Sequence, residues 1–483
     1  MPGAPVQLAL LAAAVEPHHS DAVIGLFDPI HFGYEAFAME SIEVASQGST
    51  DFGKTHKYKL LNHAEYVAGG YLEVTFPELD ISSMNTGVPQ YKIQWIHNIG
   101  IYVYDELSFL VNNNTLDKQP AEFIDMWSRL SLPEGKRKGW NDMIGEVNLY
   151  SKQGNIDNVY SNQVDTKIPQ HAAAIKTQFV TILPLNFWWT QDWTQALPTG
   201  VLVFCDLWIH AKVKQPHQLY KMWKAAGVGD WANYYGGNVL QDLSLRTPTT
   251  PRLVDAKLYI DYVYLPNKAR NRIANEEHFY VIKQTKFGGS HSVSGTSTTY
   301  KLPWVLPVTT ILFAIREDAA ETNLDYHWFD RFSDNNDLCP AVVFGAGAWT
   351  AGLYNMPDTP ISTATIRILA DERQSARSYL YHTKYQPLKH NTAIPESNGI
   401  WAYNFALRPE DSLSSGVINL SAAEQNNLYI VHNRGTGING GASGIGSAAT
   451  GAHNGNTGQL LSYGVSSNYI FIKGGYLTPM YSG

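Results

Sequence analysis

Short stretches in which apolar and polar residues alternate dominate the sequence. The stretch 72–76 reads Leu-Glu-Val-Thr-Phe. Successive side chains of a β-strand point to opposite faces, so this stretch predicts a half-buried strand. Similar runs occur at 94–103, 179–183, 200–213, 256–265, 279–283, 309–315, 365–369, 400–407, 427–432 and 468–473. Many are bounded by Gly, Pro, Asn or Asp, which form turns, and the pattern predicts an all-β architecture of sandwiches or barrels.

Helical periodicity is rare in this chain. Its clearest example places four apolar residues on one side of a helix, at Phe123, Met126, Trp127 and Leu130, before Leu132-Pro133 ends it. We interpret it as one amphipathic helix covering a sheet, because no alternating series of strands and helices surrounds it.

The chain is long enough for two sandwiches, and its composition changes between them. At 483 residues it exceeds the size of a single core. We place an N-terminal arm at 1–25, a first sandwich at 26–214, a linker at 215–250 and a second sandwich at 251–483. The linker contains a short helical patch at 219–226, and prolines follow it. Two stretches rich in Gly, Ser, Thr, Asn and Ala, 288–299 and 433–459, predict long loops.

Composition and charge exclude several classes of protein. Aromatic residues make up 12% and charged residues only 16%, and the net charge is −8, so a basic surface for nucleic acid is not expected. Two cysteines, Cys205 and Cys339, cannot build a disulfide framework and suit a reducing compartment. We interpret both as buried small apolar side chains. The apolar stretch 6–15 lacks the preceding positive charge of a secretory signal, and no stretch is long enough to span a bilayer. The arm is either a frayed terminus or a segment that packs under the assembled protein or against another component.

Two nucleotide-binding patterns occur without their usual context. Residues 48–55, Gly-Ser-Thr-Asp-Phe-Gly-Lys-Thr, match the P-loop pattern, and 435–440 match the dinucleotide fingerprint. A P-loop needs a buried parallel strand before it and a helix after it, and the flanks of 48–55 predict neither. Residues 441–444 after the second pattern are Gly-Ala-Ser-Gly and do not predict a helix. We therefore expect no NTPase and no cofactor. Were 48–55 a P-loop, Lys54 would bind the phosphates.

No catalytic or metal-binding constellation stands out. The 16 histidines show no zinc-site spacing, and His18-His19 in the arm is expected to be solvated. No Gly-x-Ser-x-Gly elbow is present, and the carboxylates are scattered. The sequence therefore supports no catalytic residue, no metal site and no enzyme.

A cluster of three tryptophans allows a second hypothesis. Trp188, Trp189 and Trp193 lie within eight residues and could form a platform on which sugar rings stack, in a carbohydrate-binding or carbohydrate-active β-sandwich protein. We favour packing in cores and interfaces, where large aromatic side chains are enriched. Asn113 and Asn419 begin N-glycosylation sequons, and without a secretory signal we expect little use of them.

Several segments together resemble the major capsid proteins of the nucleocytoplasmic large DNA viruses, the double jelly-roll family. They are Phe-Ala-Met-Glu-Ser-Ile at 37–42 with Gly48 and Phe52-Gly53; Trp-Ile-His-Asn-Ile-Gly at 95–100; Trp-Ser-Arg-Leu-Ser-Leu-Pro-Glu-Gly at 127–135; Leu-Pro-Leu-Asn-Phe-Trp at 183–188; and Tyr-Asn-Phe-Ala-Leu-Arg-Pro-Glu at 403–410. The last is the most specific. The similarity runs with gaps from about residue 27 to 432 and resumes at 468. The Gly-rich insertion 433–459 and the apolar arm depart from the compact members of the family.

The resemblance implies a fold and a function. It implies two consecutive eight-stranded antiparallel jelly-roll sandwiches, with short helices and long loops, in a structural protein and not an enzyme. Three chains would close into a six-lobed unit that tiles an icosahedral facet. It further implies neighbouring capsomers, minor capsid or penton proteins and proximity to an inner membrane as partners, no direct binding of nucleic acid, and a virion assembled in the host cytoplasm.

Overall fold

The computed structural model describes residues 36–80, 91–145, 174–175, 178–224, 251–293, 297–322, 324–330, 359–368, 371–413, 415–421, 426–432 and 458–481. The chain is built mainly from antiparallel strands, as the alternating pattern predicts. The strands of the first half are β1 (Ala38–Val44), β2 (Ser46–Gln47), β3 (Thr55–Leu60), β4 (Tyr66–Phe76), β5 (Leu79–Asp80), β6 (Tyr91–Trp95), β7 (Tyr104–Val111), β8 (Asn114–Pro120), β9 (Ala174–Ile175), β10 (Phe179–Pro184), β11 (Leu207–Val213), β12 (Tyr220–Lys224) and β13 (Asp255–Tyr264).

The remaining strands belong to the second half of the chain. They are β14 (His278–Val293), β15 (Ser297–Lys301), β16 (Pro307–Glu317), β17 (Ile361–Ile368), β18 (Asp371–Ser378), β19 (Trp401–Asn404), β20 (Ile418–Asn419), β21 (Asn426–His432), β22 (Gly458–Lys473) and β23 (Tyr476–Pro479). The α-helices in the described residues are α1 (Ile99–Tyr102), α2 (Ala121–Ser131), α3 (Glu134–Ile144), α4 (Trp188–Gln191), α5 (Asn267–Asn275), α6 (Asp318–Thr322) and α7 (Gln386–His390). A π-helical turn at Tyr381–Tyr385 precedes α7, and 3₁₀ turns occur at Trp193–Gln195 and Pro216–Gln218.

Each half of the chain forms a sandwich of two antiparallel sheets with jelly-roll strand order. In the first, one sheet has the order β1-β13-β4-β10 and the other β2-β3-β11-β7-β8. In the second, the orders are β14-β22-β16-β19 and β15-β21-β17-β18. The predicted all-β fold of two jelly-roll sandwiches is confirmed. The count of eight strands in each stays a prediction, because the short strands β2, β20 and β23 extend these sheets.

Alternation of apolar and polar residues determines which side of each sheet is buried. In β13 every second residue is buried, and β4 buries Leu72, Val74 and Phe76 as the stretch 72–76 predicts. The two apolar layers of the first sandwich form one large core, and the second sandwich has its own core around Ile311, Phe313 and Trp401. Such layers, with interdigitating side chains, are what aligned sheets bury between them.

The strand pairing moves one boundary of the domain prediction. Strand β13 falls in the predicted second sandwich, 251–483, yet it pairs with β1 and β4 of the first, with Leu258 opposite both Val44 and Leu72. Pro248 and Pro251 therefore precede the last strand of the first sandwich. Local composition marks a loop there, whereas the domain boundary is decided by pairing with strands about 200 residues earlier. We propose that the first sandwich extends to Tyr264 and that the second begins near β14.

Several local predictions were wrong in part, among them the strand run 200–213, which is strand only from Leu207. In three further cases tertiary contacts decide the conformation. The run 94–103 is only partly a strand: Asn98 adopts a left-handed conformation, with φ 52°, and α1 follows. The helical patch 219–226 is strand β12 over Tyr220–Lys224, paired with β6. The loop expected at 288–299 is largely strand, since β14 reaches Val293 and β15 begins at Ser297.

The glycines of the mispredicted loop have a packing role. A Cβ on Gly288 would lie 3.2 Å from the Trp304 ring, and one on Gly464 of the paired strand β22 would lie 2.9 Å from it. The indole ring thus lies directly on a sheet surface that has no side chains at these positions. Glycine in a strand often marks such a close approach.

Candidate assembly interface

Helix α2 joins the two sandwiches. It lies in the connection between β8 and β10 of the first sandwich, but its apolar side packs on the second. Phe123, Met126, Trp127 and Leu130 form a third core with Leu312, Ala314, Phe329, Ile400, Ala402, Leu461, Tyr463 and Val465. The predicted amphipathic helix is confirmed, and the sheet that it covers belongs to the other half of the chain.

A buried ion pair stands at the N-terminal end of α2. Arg316 of β16 contacts the carboxylate of Glu122 at 3.0 Å, and its other terminal nitrogen contacts Glu321 of α6 at 2.7 Å. Burial would raise the pKa of Glu122, but Arg316 and Lys214 outweigh it and hold that pKa below its usual range. Burial also works against the charge of Arg316, whose pKa is nevertheless raised by Glu122 and Glu321. The pair ties the first sandwich to the second.

Aromatic and polar groups continue this contact along the helix. The Tyr102 hydroxyl contacts both the Asp125 carboxylate, at 2.8 Å, and the Tyr326 carbonyl, at 2.9 Å. Arg129 donates to Asp125 at 2.9 Å and to the His327 carbonyl at 3.1 Å. Two of these hydrogen bonds cross the junction, from Tyr102 to the Tyr326 carbonyl and from Arg129 to the His327 carbonyl, and both oppose rotation of one sandwich against the other.

A second group of hydrogen bonds connects β8 to β14. The backbone N–H of Thr285 donates to Asp117 at 2.8 Å, and the Gln284 side chain donates to the Leu116 carbonyl at 2.7 Å. Burial raises the pKa of Asp117 to about 6, although three hydrogen bonds to its carboxylate act in the opposite direction. Nearby, burial lowers the pKa of Lys283 to about 8. The junction is thus polar and tightly packed at this point.

Gly399 marks the closest backbone approach beside the third core. A Cβ at this position would lie 1.8 Å from the Phe329 carbonyl oxygen. We expect Gly399→Ala to lower the free energy of unfolding by about 2–3 kcal/mol, because backbone atoms cannot yield as a flexible side chain can. Urea denaturation at fixed chain concentration measures this change in the free energy of unfolding.

Gly139→Ala is the matched control for that substitution. Gly139 lies on α3, and a Cβ there meets nothing within 4 Å. Alanine should therefore stabilise that helix by up to ~1 kcal/mol. If the two substitutions shift the urea midpoint equally, the close approach at Gly399 does not exist.

Chain direction places equivalent connections at one end of both sandwiches, which we call the base. Adjacent strands in these sheets are antiparallel, so connections alternate between the two ends. The connections 61–65, 185–206, 302–306 and 405–417 share the base with the start of β1 and the turn between β22 and β23. Contacts confirm it: the Phe204 N–H donates to the Gly475 carbonyl at 3.1 Å, and Asp192 is hydrogen-bonded to Ser412.

The base exposes many large apolar side chains. Trp193 and Leu413 are each 65% exposed and Leu407 is 66% exposed. Further members of the set are Phe37, Leu61, Val203, Phe204, Val305, Val417, Phe471, Tyr476 and Met480. Single exposed apolar residues need no explanation, but a concentration at one end is typical of a surface that meets a partner.

The P-loop look-alike is a turn and not a phosphate site. Residues 48–54 connect β2 to β3, so a strand and not a helix follows, as its flanks predict. The Asp51 carboxylate accepts from the N–H groups of Phe52, at 2.8 Å, and Leu253, at 3.1 Å. Gly48 and Gly53 have positive φ angles of 100° and 69°, which explains the glycines. Residues 435–440 lie outside the described residues.

The three tryptophans do not form one surface. Trp188 and Trp189 are buried, with Trp189 against Phe109 and Phe187, while Trp193 is exposed. The packing interpretation is confirmed for the first two. A stacking platform of all three side chains is excluded by their burial, and only Trp193 could meet a ligand.

The other residues singled out in the sequence have no common site. Asn113 is exposed in the turn between β7 and β8, and Asn419 is exposed in β20, so their glycosylation stays a prediction. Cys205 is half-buried and accepts from the Leu477 N–H at 3.2 Å; Cys339, His18 and His19 lie outside the described residues. Among the described residues, no His, Cys, Asp and Glu side chains are grouped as a metal site would require. None of the described helices is long and apolar enough to cross a bilayer.

Comparison with known proteins gives one consistent family. Residues 25–266 match the family described as major capsid protein N-terminus, and residues 269–478 match that described as large eukaryotic DNA virus major capsid protein. The major capsid protein of Phaeocystis pouchetii virus is 24% identical over 476 residues, covering 83% of this chain and 88% of that protein. That of Chrysochromulina ericina virus is 21% identical over 527 residues, covering 82% and 88%.

Solved structures show the same fold. The capsid protein VP54 of PBCV-1 aligns with a TM-score of 0.69 at 16% identity, covering 95% of this chain and all of that one. The Faustovirus major capsid protein aligns with a TM-score of 0.64 at 14% identity, covering 97% of each chain. The boundary between the two family matches, at 266–269, falls just after β13, where strand pairing ends the first sandwich.

Proposed function

Because the chain belongs to the large eukaryotic DNA virus major capsid protein family, we propose that three copies close into a capsomer with a pseudo-hexagonal outline. Family membership makes it a structural component of the virion capsid and not an enzyme. Two similar sandwiches give each chain two lobes, and a closed threefold ring then has six. Six lobes fill the sixfold positions of an icosahedral facet. Arrays of such capsomers form the shell of a large double-stranded DNA virus.

One observation carries this proposal: the two sandwiches are joined by a core of their own. The third core around α2 and the pair Glu122–Arg316 fix the angle between the lobes. A six-lobed ring closes only if that angle is the same in all three copies. Domains that met only through a small polar contact would move relative to one another.

Mass in solution tests the trimer directly. Three chains of 53.8 kDa give about 161 kDa. We expect light scattering of the purified protein to give this mass, with hexagonal outlines in negative stain. An obligate interface of ~2,000–5,000 Å² in total would hold the ring together on dilution. A folded protein of 53.8 kDa at micromolar concentration would contradict the proposal.

The further partners follow from the shape of the capsomer. Neighbouring capsomers contact one another through many weak interfaces acting together. A six-lobed unit does not fit a fivefold vertex, so we propose a separate penton protein there and minor capsid proteins beneath the shell. The exposed Trp193, Leu407 and Leu413 at the base support proximity to an inner membrane, since apolar and aromatic side chains favour its interface.

Charge and cysteine content support two more elements of the proposal. The net charge of −8 disfavours direct binding of nucleic acid. Two cysteines in 483 residues suit assembly in the reducing host cytoplasm.

A further inference from the structure

Helix α2 and the π-helical turn with α7 occupy equivalent places in the two sandwiches. In strand order, the sheet β1-β13-β4-β10 of the first corresponds to β14-β22-β16-β19 of the second, and β3-β11-β7-β8 corresponds to β15-β21-β17-β18. Helix α2 lies between β8 and β10, and the π-helical turn and α7 lie between β18 and β19. Each therefore follows the last strand of one sheet and precedes the last strand of the other. We call the second one, residues 379–390, the α7 connection.

Both connections have one side on their own sandwich, but only α2 has its other side covered. In α2, Ala121 and Ile124 belong to the core of the first sandwich, and the apolar residues of the third core cover the sheet of the second. In the α7 connection, the His382 ring stacks on Trp401 of the second core. The apolar side chains on its other side are about half exposed or more, and they are Leu380, Tyr385 and Leu388.

The sheet β1-β13-β4-β10 has an outer face that nothing in the described part of the chain buries as α2 buries its counterpart. In the second sandwich, Leu312 and Tyr463 lie on the corresponding face and are fully buried under α2. In the first, Met39 and Val180 are exposed. The apolar side chains of this outer face, in strand order, are Met39, Val263, Tyr259, Tyr71, Val180 and Ile182.

The α7 connection and the outer face carry opposite charges. Residues 377–390 contain Arg377, Lys384 and Lys389 and no acidic residue, and Arg377 and Lys389 are exposed. The outer face carries four carboxylates and one lysine, which forms ion pairs with two of them. These side chains are Glu43, Glu73, Asp255, Asp261 and Lys257. Opposite charges around two apolar surfaces favour contact between them.

We propose that the α7 connection of one copy packs on the outer face of the next copy, as α2 packs on the second sandwich within the chain. This inference rests on the proposed trimer and names the two surfaces that close it. One kind of contact then links all the lobes, alternately within a chain and between chains. Repeating one contact turns each lobe by the same angle relative to the last, which is the condition for a closed ring.

Replacing Leu388 by aspartate tests the contact through the mass in solution. Leu388 is 68% exposed, so the isolated chain tolerates the change, whereas the trimer would bury a carboxylate among apolar side chains at every contact between chains. We expect the mass measured by light scattering at micromolar concentration to fall threefold, from that of three chains to 53.8 kDa.

Leu413→Asp is the matched control for Leu388→Asp. Leu413 is 65% exposed but lies at the base, in the connection 405–417, outside both surfaces. This variant should keep the mass of three chains. Equal masses for the two variants, with a trimeric parent, would count against the contact.

Carbodiimide crosslinking gives a second readout that needs no destabilising substitution. The reagent joins an amine directly to a carboxylate, so it reports only groups in contact. In trimers assembled from isotope-labelled and unlabelled chains, we expect Lys389 of one chain to be joined to a carboxylate of the outer face of another. Lys389→Arg should remove these crosslinks and leave the mass unchanged.

The two measurements separate failure of the contact from failure of the trimer. A parent protein of 53.8 kDa would overturn both. A trimeric parent in which Lys389 is joined only within its own chain, or only to carboxylates outside the outer face, would overturn the contact alone. If Leu388→Asp does not fold, the crosslinks of the parent decide.

Discussion

Replacing Glu122 by alanine is expected to lower the free energy of unfolding by about 3–5 kcal/mol. Arg316 and Glu122 are both largely buried, and removing Glu122 leaves the buried charge of Arg316 with only the half-exposed carboxylate of Glu321 as its partner. The substitution weakens the junction between the sandwiches, so we also expect the variant to form less trimer. Urea denaturation at fixed chain concentration and light scattering measure the two effects.

Glu321→Ala is the matched control, because it removes the other carboxylate of the same arginine. Glu321 is half exposed, and pairs of that kind contribute at most ~1 kcal/mol. Replacing Glu122 and Arg316 together by apolar residues of similar volume should recover much of the loss. If Glu122→Ala lowers the free energy of unfolding no more than Glu321→Ala does, the pair Glu122–Arg316 does not hold the junction together.

Acidification is expected to lower the free energy of unfolding by about 4–5 kcal/mol through one buried imidazole, that of His382. Burial lowers its pKa to about 3, and a hydrogen bond to the Ala402 carbonyl only partly opposes this. The unfolded chain takes up the proton near pH 6.5, well before the folded one. The contribution of His382 to the free energy of unfolding is therefore complete above pH 6.5 and declines as the pH falls toward 3, at ~1.4 kcal/mol per pH unit.

The surroundings of His382 explain why it stays neutral. Its ring stacks on Trp401 at 4.8 Å and lies near Phe313, and its Nε2 accepts from the Gln374 amide at 2.7 Å. Its Nδ1–H donates to the Ala402 carbonyl at 3.3 Å. Both ring nitrogens are used by the neutral form, and no carboxylate in the described part of the chain forms a hydrogen bond with the ring.

His382→Phe separates this group from the general acid response. At pH 7 we expect the free energy of unfolding of the variant to be ~1–3 kcal/mol lower, because the Gln374 amide and the Ala402 carbonyl each lose a hydrogen-bond partner. Its stability should then change less between pH 6.5 and 4 than that of the parent, as urea midpoints across that range will show. Parallel curves for the two proteins would mean that His382 accepts a proton in the folded state.

The junction suggests how one chain can supply two lobes of a hexagon. Neither sandwich completes its own surface: the sheet of β16 and β22 is covered by a helix from the first half of the chain. A capsomer needs lobes that do not move relative to one another, and a shared core provides this more firmly than a linker. We therefore expect mutations at the junction to affect assembly more than equally destabilising ones within either core.

Local pattern predicted many of the strands, the amphipathic helix α2 and the all-β class. Alternation at 72–76, 256–265 and 427–432 predicts β4, β13 and β21 because the side chains of a strand repeat every two residues wherever it lies. The periodicity of 123–130 similarly predicts the apolar side of α2. The resemblance carried by 403–410 and the other quoted segments added the family, which the comparisons confirm.

What covers each apolar surface was decided only by the tertiary structure. The sequence shows that α2 has an apolar side, but not that the opposite sandwich receives it, and it shows Glu122 and Arg316 as two ordinary charges 194 residues apart. In the sequence, the prolines before β13 indicated a domain boundary. Gly288 indicated a loop, and Gly464 indicated no structural role. Pairing of β13 with strands about 200 residues earlier shows that the prolines precede a strand of the first sandwich. The ring of Trp304 packs against Gly288 and Gly464. Such contacts depend on which surfaces meet in space, and a pattern of period two or 3.6 carries no information about its partner.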